Sequence, residues 1–104
     1  MSLERIIKTL ESFGFKRKEA EVYVYLGKKG PQEVNDLAEA LKIRKRQLKF
    51  ILKNLQGRGV VTASYERATM YAALDFEKTL DLLEKENIQE TKVLRKTLEN
   101  FKPN

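Results

Sequence analysis

Cysteine and histidine are absent from this 104-residue sequence. Without cysteine the protein has no disulfide, no thiolate metal ligand and no thiol nucleophile, a pattern that fits a reducing compartment. Without histidine it also lacks the commonest general base and the commonest metal ligand. The sequence has no phosphate-binding glycine loop, and we interpret Gly57-Arg58-Gly59 as a helix stop. We therefore predict neither an enzyme nor a bound cofactor or metal.

Long apolar runs are also missing, so the sequence predicts no membrane span and no membrane partner. The first five residues include an acidic side chain and no apolar signal core. Hydrophobic residues make up 41% of the chain and charged residues 35%, which is typical of a small helical domain with long solvated faces. We predict a cytoplasmic protein with one modest core.

Acidic residues are missing from one long segment. No carboxylate occurs between Glu39 and Glu66, yet seven basic residues lie in that interval. The remaining 14 basic residues are balanced by all 15 acidic ones, so the net charge of +6 arises in this segment. A patch of one sign on a folded element is typical of a nucleic-acid-binding protein.

Apolar spacing predicts four helices, then two short strands, then a last helix. The predicted helices cover about residues 2–13, 17–28, 33–41 and 44–57, the strands cover 60–64 and 69–73, and the last helix runs from near Asp75 to about Phe101. The third and fourth helices are joined by a tight turn at Lys42-Ile43, and residues 65–68 form the hairpin loop.

This order predicts a mainly α protein with a small β hairpin. It fits a winged helix-turn-helix with an N-terminal helix and a long C-terminal helix. We assign residues 1–74 to the DNA-binding domain, including the N-terminal helix, and residues 75–104 to a C-terminal dimerisation element.

The fourth helix has one apolar stripe and one basic face. At about 100° per residue, its basic side chains fall on the side opposite Leu48, Leu52 and Leu55. Such a helix fits the DNA major groove, and its N-terminal half usually reaches the base edges. The predicted DNA contacts, including the preceding turn and the hairpin tip, are Lys42, Arg44, Lys45, Arg46, Lys49, Phe50, Lys53 and Arg67.

These residues are expected to act differently. The planar guanidinium of Arg46 suits bidentate recognition of guanine, whereas Lys42 and Lys53 suit contacts with phosphate. Phe50 suits either a thymine methyl or packing under a neighbouring element. Arg67 suits the minor groove or phosphate, although Glu66 beside it opposes close approach to phosphate. The simpler alternative is that the basic face is only solvated.

The last helix shows apolar residues at alternating spacings of four and three, with polar interruptions. This heptad seam predicts dimerisation, with Asn87 helping to set the register, and the first helix joins the same interface. The alternative is a helix that packs only on its own domain. The predicted dimerisation residues are Leu3, Ile6, Ile7, Leu10, Leu80, Leu83, Asn87, Leu94 and Phe101.

Several motifs, in order, resemble the TrmB-like winged-helix regulators of the broader MarR-like group. They run from Phe13-Gly14-Phe15 and Gly30-Pro31, through Asn35-Asp36-Leu37-Ala38, to Gly59-Val60-Val61 and Ala73-Leu74-Asp75. The resemblance covers about residues 10–83.

The resemblance implies an archaeal or bacterial transcription regulator that binds double-stranded DNA as a homodimer. It places the recognition helix at Arg44, Lys45, Arg46 and Lys49. The family often has glycine where Lys42 stands and a Ser or Thr helix cap where Lys16 stands. Larger members carry a C-terminal sugar-binding domain; the present sequence ends at Asn104, and we expect the DNA-binding domain without it.

Three functions remain open from the sequence. The first is a sequence-specific dimeric regulator, the second a non-specific architectural DNA-binding protein, and the third a winged-helix module whose basic helix binds an acidic protein. The sequence identifies neither an operator nor an effector ligand.

Overall fold

The computed structural model describes residues 2–101, apart from the side chains of residues 88–91, 93 and 101. The elements, in chain order, are α1 (Leu3–Ser12), α2 (Arg17–Lys29), α3 (Val34–Leu41), α4 (Lys45–Gly57), β1 (Val61–Ser64), β2 (Met70–Ala73) and α5 (Phe76–Phe101). This order confirms the predicted winged helix-turn-helix. Each observed helix or strand end lies within one residue of the predicted end.

One hydrophobic core contains side chains from α1, α2, α3 and α4, and the start of α5 packs against it. Fully buried leucines come from every helix, including Leu10, Leu26 and Leu37. The buried stripe of α4 is Leu48, Ile51, Leu52 and Leu55, as its spacing predicts. Because this stripe faces the core, the opposite face of α4 is directed to solvent.

The hairpin is antiparallel, with Val61 opposite Ala73 and Ser64 opposite Met70. It is also attached to the helical part of the domain. Gln32 donates its backbone N–H to the Tyr71 carbonyl (2.9 Å) and accepts from the Tyr71 N–H (2.8 Å), which forms an isolated bridge just before α3. The sequence shows no strand pattern at Gln32, so this single-residue bridge to β2 was not predicted.

A buried phenol connects α2, the exit of the hairpin and α5. Tyr23 donates to the Leu74 carbonyl, and its hydroxyl lies 3.0 Å from that of Thr79, which is fully buried. Burial raises the pKa of Tyr23; the bond to Thr79 partly offsets the effect, and Asp75 nearby adds to it. This junction holds the first turn of α5 against the domain.

The first three turns of α5 pack against its own domain. Leu83 is 1% exposed, and Leu82 packs over Gly59, at φ +80°, where an added Cβ would lie 3.1 Å from it. Farther along, Leu94 is 68% and Leu98 65% exposed. The alternative of a helix packed only on its own domain therefore accounts for the start of α5 but not for the described side chains beyond it.

Candidate nucleic-acid interface

The turn before α4 contains the left-handed residue Lys42, with φ 54° and ψ 42°. Lys42 ends α3 by donating its N–H to the Ala38 carbonyl, and Ile43 donates to the same carbonyl at 3.1 Å. Glycine is the residue that adopts this conformation without steric cost. The absence of glycine, noted in the sequence, thus leaves a strained lysine at the entrance to α4.

The start of α4 lacks the usual stabilising residues. Arg44 occupies the N-cap position without a side-chain hydrogen bond to the helix, and the first turn has no acidic residue. The partial positive charge of the helix terminus instead lies beside Arg44, Lys45 and Arg46. Positive charge and uncapped N–H groups are unfavourable for the helix but favourable for a bound anion.

The α4 basic face comprises Lys45, Arg46, Lys49 and Lys53, and all four side chains are exposed. Within the described part of the chain, none of them forms an ion pair, and neither do Lys42 and Arg44. Solvated helix faces normally mix both signs of charge. The predicted DNA-contacting cations of α4 therefore lie on one exposed helix face, where their charged groups are available to a polyanion.

A cleft of about 300 Å³ separates the α4 basic face from the hairpin. Lys45 and Lys49 form one wall, Glu33 and Asn35 lie at the start of α3, and Thr69 immediately precedes β2 at the loop end of the hairpin. The hairpin therefore lies beside the edge of α4 that carries Lys45 and Lys49. Arg67 is exposed in the hairpin loop, as predicted, together with Tyr65 and Glu66.

Phe50 is 62% exposed and lines a second cleft, of about 270 Å³, between α4 and the start of α2. It does not pack under a neighbouring element, which removes one of its two predicted roles. The start of α2 adds Lys16 and Lys18 to this edge of the surface. Arg17 is engaged elsewhere, with Glu4 at 3.0 Å and with Glu11 and Glu21 at 3.6 Å.

A nearly buried carboxylate fixes α4 relative to α2. Glu19 accepts the backbone N–H of Lys16 at 2.8 Å and the side-chain amide of Asn54 at 3.4 Å. The bond from the Lys16 N–H to Glu19 caps the start of α2, which the Lys16 side chain does not do. The backbone donors at the start of α2 are therefore better hydrogen-bonded than the sequence indicated. Asn54 lies on α4, and this bond helps to hold the basic face in place.

Arg58 belongs to the basic segment of the sequence but serves the fold. Its guanidinium lies 4.0 Å from the centre of the Phe15 ring, donates to the Phe13 carbonyl at 3.0 Å and pairs with Glu86 at 3.5 Å. Gly14, at φ +95°, makes the sharp turn between the two phenylalanines. The Phe-Gly-Phe motif therefore forms the packing site of the Arg58 side chain. No local sequence pattern indicates this contact.

The predicted dimerisation residues divide into several groups. Ile7, Leu10 and Leu83 are buried in the protomer's own core, so their assignment to an interface is corrected. Their apolar spacing reflects packing within the domain. Leu3, Asn87 and Leu94 are exposed, Ile6 and Leu80 are half-buried, and the side chain of Phe101 lies outside the described residues.

No helix in the described part of the chain is both long and apolar enough to cross a bilayer. A comparison with curated protein sequences finds no significant match. Comparison with solved structures finds TrmBL2, described as an archaeal chromatin protein with a novel mode of DNA binding, at 20% identity and a TM-score of 0.76. The match covers 96% of this chain but 40% of TrmBL2, so this chain spans less than half of that protein.

Two further structures match over most of both chains. The ST1889 protein of Sulfolobus tokodaii shares 18% identity, with a TM-score of 0.72 over 90% of this chain and 99% of the other. The transcriptional regulator Tm0710 of Thermotoga maritima shares 15% identity, with a TM-score of 0.63 over 98% and 90%. At these identities the likeness establishes the winged-helix fold.

A family profile gives the more specific result. Residues 10–77 match the profile described as sugar-specific transcriptional regulator TrmB. The match includes α2, the helix-turn-helix, the hairpin and the beginning of α5. The family and the structural relatives named as regulators act in transcription rather than as enzymes. The chain belongs to the TrmB family of winged-helix transcription regulators.

Proposed function

We propose that this protein is a dimeric, sequence-specific transcription regulator that inserts α4 into the major groove of double-stranded DNA. The observation that carries the proposal is the α4 basic face, whose four exposed cations are unpaired within the described part of the chain. The width of an α-helix matches the major groove. The uncapped start of α4 adds backbone donors to the same end of the surface.

The proposed contacts divide by position along α4. Arg46, in the first turn, reads a guanine edge, and Lys45 and Lys49 approach neighbouring bases from the wing side. Lys42, Arg44 and Lys53 bind phosphates at the two ends of the helix. Phe50 contacts a thymine methyl. Arg67, in the hairpin loop, binds the adjacent minor groove or its phosphates.

The dimer assignment is supported by α5, which leaves Leu94 and Leu98 largely exposed. A two-fold dimer would present two α4 helices to DNA, and its operator would contain two half-sites about one helical turn apart. Leu3, Ile6, Leu80, Asn87 and Leu94 remain the proposed interface residues that the structure describes outside the core.

The experiment is selection from a randomised duplex pool at moderate salt, with sequencing of the retained DNA. We expect enrichment of a two-fold-symmetric motif. A variant with Arg46 and Lys49 changed to alanine should lose the enriched motif, whereas Lys8→Ala, an exposed position on α1, should retain it. Absence of any retained DNA at low salt would reject DNA binding and favour an acidic protein partner.

The second candidate function is non-specific architectural binding. It is favoured by one observation, the likeness of nearly the whole chain to part of TrmBL2, which is described as a chromatin protein. The same basic face would then bind phosphates without reading bases. DNA retained in the selection without sequence enrichment would support this function over the first.

A further inference from the structure

A stripe on α5 continues from the domain into solvent. At about 100° per residue, Phe76, Leu80, Asn87, Leu94 and Leu98 lie within about 40° of one another around the helix. The first two are half-buried against the domain, whereas Leu94 and Leu98 are 68% and 65% exposed. The stripe therefore has one covered end and one uncovered end.

Charge is also distributed unequally along α5. Residues 76–90 contain five acidic and two basic residues, whereas residues 91–101 contain one acidic and three basic residues. Two such helices side by side in the same direction would place acidic half beside acidic half. In opposite directions, each acidic half would lie beside a basic half, which is the electrostatically favourable arrangement.

We propose that α5 pairs antiparallel with α5 of a second copy, with the two-fold axis passing beside Asn87. This inference rests on the proposed dimer and specifies its orientation and register. With Asn87 level with its counterpart, Leu80 lies opposite Leu94 of the second copy, and Phe76 lies opposite Leu98 of the second copy. Each half-buried member of the stripe is then matched with an exposed one.

The same register covers an apolar groove of about 370 Å³ at the base of α5. Leu3, Ile6 and Phe76 line this groove together with α2. Leu98 of the second copy, which is opposite Phe76 in this register, packs over it. Leu3, the exposed apolar residue of α1, is thereby covered by the interface.

One flank of the stripe supports the orientation independently. Glu77, Glu84 and Arg95 all project about 40–100° to the same side of the stripe. A two-fold axis perpendicular to the helices brings the same flank of both copies together, whereas an axis along the helices brings opposite flanks together. Only the antiparallel pair therefore places Arg95 beside Glu77 of the second copy.

Cysteine cross-linking tests the orientation, since the natural chain contains no cysteine. We expect a mixture of Leu80→Cys and Leu94→Cys full-length variants to form a mixed disulfide, identified by mass, at least tenfold above background. The background is measured with Lys78→Cys, which lies on the opposite side of α5. Leu80→Cys linking to itself as efficiently as in the mixture would overturn the antiparallel arrangement.

Sedimentation of the unmodified chain separates failure of this inference from failure of the proposed dimer. A monomer at all concentrations would reject both. A dimer that yields no mixed disulfide would reject the register and leave the dimer standing.

A charge exchange provides a second test. Arg95→Glu should raise the dimer Kd about tenfold at low salt, because each dimer contains the contact twice. Adding Glu77→Arg to the same chain should restore the Kd, whereas Lys96→Glu, on the far side of α5, should change it less than threefold. A double variant no tighter than Arg95→Glu would overturn the proposed contact.

Discussion

Among individual residues, Lys42 combines backbone strain with a proposed phosphate contact. It is the one non-glycine residue with positive φ in the described part of the chain. We expect Lys42→Gly to raise the free energy of unfolding by about 0.5–1 kcal/mol, because glycine adopts this conformation without a Cβ clash. The same variant should bind DNA more weakly, since it removes a cation.

Denaturant unfolding and DNA titration of the same samples check both effects of Lys42→Gly. The matched control is Lys42→Ala, which removes the cation but keeps the Cβ, so it should weaken binding without raising stability. A Lys42→Gly protein that is less stable than the natural one would show that the strain is relieved in some other way.

Arg46 and Lys53 are predicted to differ in what they read. Arg46→Ala should reduce discrimination between the preferred and a substituted base pair by about 1–3 kcal/mol. Lys53→Ala should weaken binding to every sequence alike and reduce the magnitude of the salt slope by about one. Titrations against the selected operator and a random duplex measure both quantities. Equal losses on both duplexes for both variants would contradict this division of roles.

At the scale of elements, the Tyr23 junction determines how α5 leaves the domain. Tyr23→Phe should lower the free energy of unfolding by about 1 kcal/mol, because the Leu74 carbonyl keeps only the longer Thr79 contact, at 3.4 Å. Chemical denaturation at pH 7 measures this difference, and Tyr65→Phe, at the exposed hairpin loop, is the matched control.

The Tyr23 junction also predicts a pH dependence. Since burial holds the pKa of Tyr23 above 10 in the folded state, the folded protein retains this proton where the unfolded chain releases it. The contribution to stability is therefore complete below pH 10 and is lost as pH rises through the folded-state pKa. Stability measured from pH 8 to pH 11 should fall more steeply for the natural chain than for Tyr23→Phe. Parallel curves would contradict this assignment.

Secondary structure was accessible from the sequence because its causes are local. The apolar stripe of α4, the helix stop at Gly57 and the two short β-prone segments of the hairpin each depend on neighbouring residues. Packing partners were not accessible. In the sequence Arg58 resembles the other cations of the basic segment, but in the structure it contacts Phe15, in the turn between α1 and α2, and Glu86 of α5.

Apolar spacing also could not separate core from interface. Leu83 and Leu94 belong to the same predicted seam, yet Leu83 is buried by its own domain and Leu94 is exposed. The difference arises because the domain is shorter than α5 along the helix axis, a tertiary property that periodicity does not contain. The α4 basic face was predictable because charge of one sign and helical period act together within thirteen residues.

For the whole molecule, charge distribution predicts a strong salt dependence of DNA binding. Each protomer presents about three to five cations to phosphate, so log K for a dimer should fall with log salt at a slope of roughly −5 to −9. Titration across several salt concentrations measures the slope, with a scrambled duplex of equal length as control. A slope near −1 would be incompatible with two engaged α4 basic faces.

The firm attachment of α5 at Tyr23 has a mechanical consequence. The 26 residues of this helix extend about 39 Å, so a tilt of about 5° at its base moves its far end by about 3.4 Å. That displacement equals the rise of one base pair along DNA. The angle at which the Tyr23 junction holds α5 would therefore determine, to within one base pair, the operator spacing that a joined pair of domains accepts.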